Sequence, residues 1–445
     1  MTTSVSSSSP GIDRALSLPY WVIHAAILFL LTVTAFEVRG SRISLGFLSF
    51  YWTTARIGIL LMGVISFYWF LRYCLPILRK QYRDITTSIL FFCAIATISS
   101  LASSHAGVAL ERILFYSCFF YFFGIALSLP YKKILEHVPL YLFVAGLVLG
   151  IMGCLQWWCP QLRKIMDNTF LIGTHSFIGR TSAGINASLQ NSITYGCFMV
   201  IAFISMWILR WKMGLYLLIP AAPIILAGII LSCSRLAAIG FLVFSAAILV
   251  SSVKRVSFAK NWRHALICVA ALVFFLVFTA QFRYVKVWQS VKQADSAFSS
   301  VEDFDRYSSH RLSLWSAALK MWTDNKWLGV GPGVYDKHLA DYAQYKFLSA
   351  GFQHPHNLFL RIICETGVFG TIAFGILAYL IARKIFRCGI RYYTWPFMAF
   401  LFFEMLEEFT RDAFPSLIFV LITAYAIKAA QDDQVVFETS KTQIP

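Results

Sequence analysis

Along this chain, long apolar runs alternate with short polar interruptions. The runs begin near residues 20, 50, 86, 114, 138, 191, 213, 236, 265, 358, 394 and 414. Each is long enough, at about 20 helical residues, to cross about 30 Å of hydrocarbon. The pattern predicts an all-α, polytopic integral membrane protein of about twelve transmembrane helices. Only Arg14 offers a basic residue ahead of the first run, and no small-residue cleavage pattern follows, so that run reads as a retained span and not a signal peptide. The predicted organisation is a tail over 1–19, nine spans over 20–282 with a loop at 157–190, a large partly helical loop over 283–357, three spans over 358–429 and a tail over 430–445.

Long loops between spans usually carry function. Within the larger one, "SHRLSLWSAALKMWTDN" places Leu312, Trp315, Leu319 and Trp322 at helical spacing, with Arg311 at its start. This predicts a helix lying on the membrane surface or capping the bundle. It ends at "NKWLGVGPG", where glycines and a proline stop the helix and allow close backbone approach. Gly329, Gly331 and Gly333 match neither a dinucleotide fingerprint nor a P-loop, and the chain carries no HExxH, GxSxG or EF-hand pattern.

Composition agrees: 58% of residues are apolar, 13% are charged and 41 are phenylalanine. The net charge of +17 is concentrated in alternate loops (Arg72, Arg79, Lys80 and Arg83; Lys132 and Lys133; Arg210 and Lys212; Lys254 to Arg263; Arg383 to Arg391). By the positive-inside tendency, those loops and both termini are cytoplasmic, and the two longer loops face out. The basic balance is then a topology signal and predicts no nucleic-acid partner. Ten cysteines fall mostly in apolar runs without metal-knuckle or disulfide spacing.

Four separated stretches bring polar residues to the outer face. Arg180 lies in "FIGRTSAGINASLQNS", Arg235 in "LSCSRLAAIG", Arg306, His310 and Arg311 in the large loop, and His354, His356 and Asn357 in "HPHNLFLRIICETGVFG". One boundary arginine is as often a snorkelling anchor as a ligand. Several on one face suit a phosphate or pyrophosphate, which planar guanidinium groups hold without a metal. His356 is the candidate base, with interfacial hydration as the plainer alternative. No metal is predicted: the histidines find no third ligand by spacing, although Asp336, His338 and Asp341 are near in sequence. Glu365 stands too far along the helix to touch His356 and is expected to bind a neighbouring span. Glu404, Glu407, Glu408, Arg411 and Asp412 read as an interfacial ion network, with a carboxylate for the site as the second reading. Gly367 and Gly370 fall on one helix face and predict close helix packing.

His356 and Asn357, then a nine-residue gap, then Gly367 and Gly370, resemble the signature of the O-antigen ligases, in the superfamily shared with O-antigen polymerases and protein O-oligosaccharyltransferases. Ser234 with Arg235 after a span, the Arg311 helix and "WLGVGPG" resemble that pattern as well. The resemblance implies a GT-C-like glycosyltransferase of the bacterial inner membrane, active on its periplasmic face, with no cofactor. It would transfer O-antigen from undecaprenyl pyrophosphate to the lipid A-core oligosaccharide in lipopolysaccharide biosynthesis, with inversion. His356 would be the base, and Arg180, Arg235 and Arg311 would hold the pyrophosphate. Asn357, Arg306 and His354 would support them, and Gly367 and Gly370 would form the structural motif. An O-antigen polymerase or protein O-oligosaccharyltransferase fits the same residues; from another class, so does a membrane transporter, against which stand the missing internal repeat and the large loop.

Overall fold

The computed structural model describes residues 19–36, 42–45, 48–51, 53–159, 161–162, 187–189, 191–210, 212–213, 215–255, 300–308, 310–343, 354–408, 410 and 412–442. Apart from one antiparallel hairpin, Arg42–Leu45 paired with Leu48–Tyr51, these residues are helical wherever they are regular. The expected run near 265 and Arg180 lie outside the described residues. Eleven expected runs appear as helices: α1 (Tyr20–Ala35), α2 (Thr54–Trp69, prolonged to Gln81), α3 (Arg83–Ala102), α4 (Ala106–Ser128), α5 (Val138–Trp158), α6 (Ser192–Leu209), α7 (Leu215–Leu231), α8 (Arg235–Arg255), α12 (Leu358–Ile385), α13 (Trp395–Leu406) and α14 (Ala413–Thr442). Seven of these helices, the prolonged α2 among them, are long and apolar enough to cross a membrane, so the chain is a multi-pass membrane protein, while α1, α7 and α8 carry shorter apolar stretches. Helix α13 has only 12 residues.

Small residues set how closely the helices pack. A methyl group added at Gly146 of α5 would come within 2.2 Å of the Ala202 methyl on α6, so those two backbones touch only because no side chain intervenes. Between α8 and α13, Gly240 lies against the Phe403 ring and Phe244 against Trp395, which fixes the pair as antiparallel. One end of the bundle is stitched by Lys384–Asp84 at 3.2 Å, Lys212–Glu136 at 3.5 Å and Lys132–Asp432 at 3.8 Å. The opposite end carries the loop helices α9 (Val301–Tyr307), α10 (Arg311–Asp324) and α11 (Tyr335–Tyr342).

The expected stripe on α10 is rotated. Its buried face is Ser313, Leu314, Ala317, Ala318 and Met321, whereas Leu319 is exposed and Leu312, Trp315 and Trp322 are only partly covered. The two alanines allow α10 to sit down on α12 and α11; the bulky residues, which dominate a hydrophobicity reading, flank the seam. So α10 caps the bundle.

Candidate active site

The site is assembled where α10, α12 and α13 meet. Asp305 is buried beneath the start of α10: its carboxylate accepts from the Ser313 backbone N–H at 3.0 Å and the Ser313 hydroxyl at 2.6 Å, and lies 3.2 Å from His310 Nδ1. An acid at a helix N-terminus satisfies orphan donors and suits the helix dipole. Arg311 thereby becomes the first residue of a fixed helix, preceded by His310 in a left-handed backbone conformation.

The "HPHN" stretch is held by hydrogen bonds to its backbone. Trp315 Nε1 donates to the Pro355 carbonyl at 2.9 Å and Arg311 Nη1 to the His356 carbonyl at 3.4 Å. Asn357 caps α12, accepting from Leu360 N–H at 3.0 Å, while its amide donates to the Met405 carbonyl at 3.0 Å. His356 itself has φ of 53°, a left-handed conformation uncommon outside glycine, directly before the extended Asn357 that caps the helix.

Past α13, Glu404 accepts from the Thr410 N–H at 2.6 Å and closes the turn that presents Glu407 and Glu408. These two adjacent carboxylates each join a histidine to an arginine. Glu407 lies 2.9 Å from His356 Nδ1 through one oxygen and accepts from Arg311 Nη2 at 2.9 Å through the other. Glu408 lies 3.4 Å from His354 Nδ1 and pairs with Arg361, which also reaches Glu365 at 3.0 Å. The two histidine rings are 4.2 Å apart. Burial alone would raise the Glu407 carboxyl, but His356 and Arg311 beside it hold it below the usual carboxylate range. An ionised Glu407 only accepts, so His356 Nδ1 carries the proton and the lone pair is on Nε2.

Several expectations change here. Glu407, read first as part of an ion network, is the partner of His356. Glu365 pairs through its carboxylate with Arg361 of its own helix, four residues back, and meets the neighbouring α3 through its carbonyl, which accepts from the Ser99 hydroxyl at 2.9 Å. The histidines do have a third potential metal ligand: donor atoms of His354, His356 and Glu407 lie within 4.8 Å of one another. No spacing rule could have shown it, because Glu407 is brought in by tertiary packing; Asp336, His338 and Asp341 lie instead on α11. Arg311, expected to hold a pyrophosphate, has its fork committed to Glu407 and to the Leu406 and His356 carbonyls, which makes it a positioning residue for the imidazole. Arg361 went unread, although a charge one turn ahead of Glu365 on an apolar helix was a signal.

Arg235 begins α8 and is exposed. It stands about 7.5 Å along the axis above Gly240, and Glu407 about 6 Å above Phe403, so the antiparallel contact of those residues sets both at the same end and similar height. Arg306 lies on α9.

Gly367 and Gly370 do more than pack. At Gly367 the backbone leaves the helix (φ 63°, ψ −164°), and the carbonyls this releases are taken by the glycine turn: Val330 N–H donates to Cys364 and Gly331 N–H to Glu365, both at 2.9 Å. A Cβ at Gly367 would stand 2.3 Å from the Trp327 carbonyl oxygen, and one at Gly370 2.2 Å from Thr366 Cβ, which the kink folds back over it. The Gly-x-x-Gly spacing thus belongs to a broken helix locked to the "WLGVGPG" turn.

Beside the site, between α3, α4, α12, α13 and α14, is a cavity of about 490 Å³ walled by aromatic and aliphatic residues such as Phe92, Phe119, Phe359 and Phe419, with Arg361 and Glu404 among its few polar groups. Residues 220–375 match the model of a family described as O-antigen ligase, a stretch that holds Arg235, Arg311, both histidines and both motif glycines. No curated protein matches the chain.

Proposed function

Since the chain carries an O-antigen ligase family domain over residues 220–375, a family of glycosyltransferase-like membrane enzymes, we propose that it joins a lipid-linked polysaccharide to a second lipid-anchored sugar. The donor is O-antigen on undecaprenyl pyrophosphate, and the acceptor is a hydroxyl of the lipid A-core oligosaccharide. The site then faces the periplasm at the outer end of an inner-membrane bundle. The observation that carries this reading is the bridged His356–Glu407–Arg311 unit at the same end as Arg235.

In the reaction, the acceptor oxygen attacks the anomeric carbon as His356 Nε2 takes its proton. Glu407 holds the tautomer and balances the imidazolium that forms. The bond to the pyrophosphate breaks on the opposite side, giving inversion. Arg235 and Arg180 hold the departing pyrophosphate, with Arg306 as the competing loop arginine, while Arg311 acts through Glu407. The donor brings its own leaving group, so neither a metal nor a nucleotide is required. The 490 Å³ apolar cavity is of a size and lining suited to part of a lipid chain.

The test mixes purified protein with lipid-linked O-antigen and lipid A-core and resolves the products by gel. A ladder of joined products, retained with chelator and lost in His356→Ala, is expected. Longer carrier-linked glycan without lipid A would make the protein a polymerase; a glycosylated protein acceptor would make it an O-oligosaccharyltransferase. Solute flux in liposomes with no sugar transfer would remove the enzyme reading.

A further inference from the structure

His354, Pro355 and His356 alternate on an irregular backbone, yet the two rings converge to 4.2 Å because each is drawn toward one of two consecutive carboxylates. The resulting donor set is two imidazoles and the Glu407 carboxylate, with one ligand atom of each within 4.8 Å of the others, and an ion bound there takes the place of the His356–Glu407 hydrogen bond. Two histidines and a glutamate are a set used at open zinc sites. Metal bonds of about 2.0–2.2 Å put tetrahedral ligands about 3.3 Å apart, so the group needs a contraction that histidine side-chain rotation supplies.

A second feature separates this group from an accidental cluster. Metal-bound histidines characteristically hand their other ring nitrogen to a carboxylate, which fixes the ring. Here Glu408, itself fully buried and paired with Arg361, stands 3.4 Å from His354 Nδ1, in the place of such a carboxylate. The side chains of His354 and His356 keep 13% and 17% exposure, enough for an ion to enter.

We infer that His354, His356 and Glu407 form an inhibitory site for a borderline divalent ion of the Zn²⁺ class. Arg311 on the far oxygen of Glu407 opposes the ion's charge, which argues against a resident metal and for capture only when the ion is offered. Nitrogen donors select Zn²⁺ or Cu²⁺ over Mg²⁺ and Ca²⁺. A bound ion occupies an imidazole lone pair and pulls Glu407 from its tautomer-fixing role, so the base is lost. The inhibitory part rests on His356 being that base; the binding part does not.

The experiment titrates the full-length protein in nanodiscs with Co²⁺, read by visible absorption, with Zn²⁺ as competitor and sugar transfer measured in parallel. Expected are one competable ion per chain, at least tenfold weaker binding in His354→Gln and Glu407→Gln, roughly tenfold to hundredfold weaker binding in Glu408→Gln, and no change in His310→Gln. Excess Mg²⁺ should leave the signal intact. Thermal melting of each variant distinguishes a lost ligand from a lost fold. Absence of competable Co²⁺, or binding that survives His354→Gln/His356→Gln, overturns the site even if His356→Ala abolishes transfer. Stoichiometric binding that leaves transfer untouched overturns the inhibition and counts against His356 as base.

Discussion

Replacing Gly367 by alanine should be among the most damaging single-methyl additions available in this chain. Its φ of 63° with ψ of −164° lies in a region almost restricted to glycine, which costs a side-chain-bearing residue about 1–3 kcal/mol. The new Cβ would also stand 2.3 Å from the Trp327 carbonyl oxygen and 2.6 Å from the Leu328 nitrogen, both backbone atoms that cannot rotate aside. The turn must retreat, and three hydrogen bonds then lengthen or break: Val330 N–H to Cys364, Gly331 N–H to Glu365 and Val368 N–H to Lys326, at 2.9, 2.9 and 2.8 Å. At about 0.5–1.5 kcal/mol each, these bring the total to roughly 3–7 kcal/mol. Gly375 on the same helix is the control, since nothing lies within 4 Å of a Cβ built there. Thermal unfolding of both variants in nanodiscs, followed by tryptophan fluorescence, would measure the difference. Gly375→Ala should melt within a degree or two of the parent and Gly367→Ala far below it; equal melting temperatures would refute the account of the kink as a backbone lock.

Glu407→Gln keeps the shape but sets an amide N–H against one of its two donors, so the melting temperature should drop and transfer should fall by about a hundredfold or more; single-turnover rates of the folded protein check this. Asn357→Ala removes both the α12 cap and the contact with Met405, and should lower stability by about 1 kcal/mol, seen in a melt. Burial and then His105 hold His338 below the usual imidazole range, against the opposing pull of Asp341 and Asp336. The unfolded chain therefore takes up this proton first as pH falls. The contribution of the neutral ring is present above about pH 6.5 and is lost on acidification below it. Limited proteolysis of α11 should accelerate between about pH 7 and pH 5.5, and His338→Gln should flatten that response.

The spans were legible because lipid demands one unmistakable pattern, a long apolar run for each helix. The histidines and Arg235 stand out in the sequence because they interrupt that pattern at span ends, and Arg311 because it heads an amphipathic helix in the large loop. What could not be read was which polar group meets which. Glu404, Glu407 and Glu408 look equivalent in "FEMLEEF", yet one closes a turn, one bridges His356 to Arg311 and one is buried against Arg361; only the path of the chain after α13 distinguishes them. Likewise the large residues of α10 drew attention away from its two alanines, because closeness of approach is a property of the pair and hydrophobicity a property of one helix.

With 12 residues, α13 rises only about 18 Å, short of the roughly 30 Å of a hydrocarbon layer. Glu407, just past its end, is therefore released from the helix into extended backbone, where one residue reaches His356 and Arg311 at once.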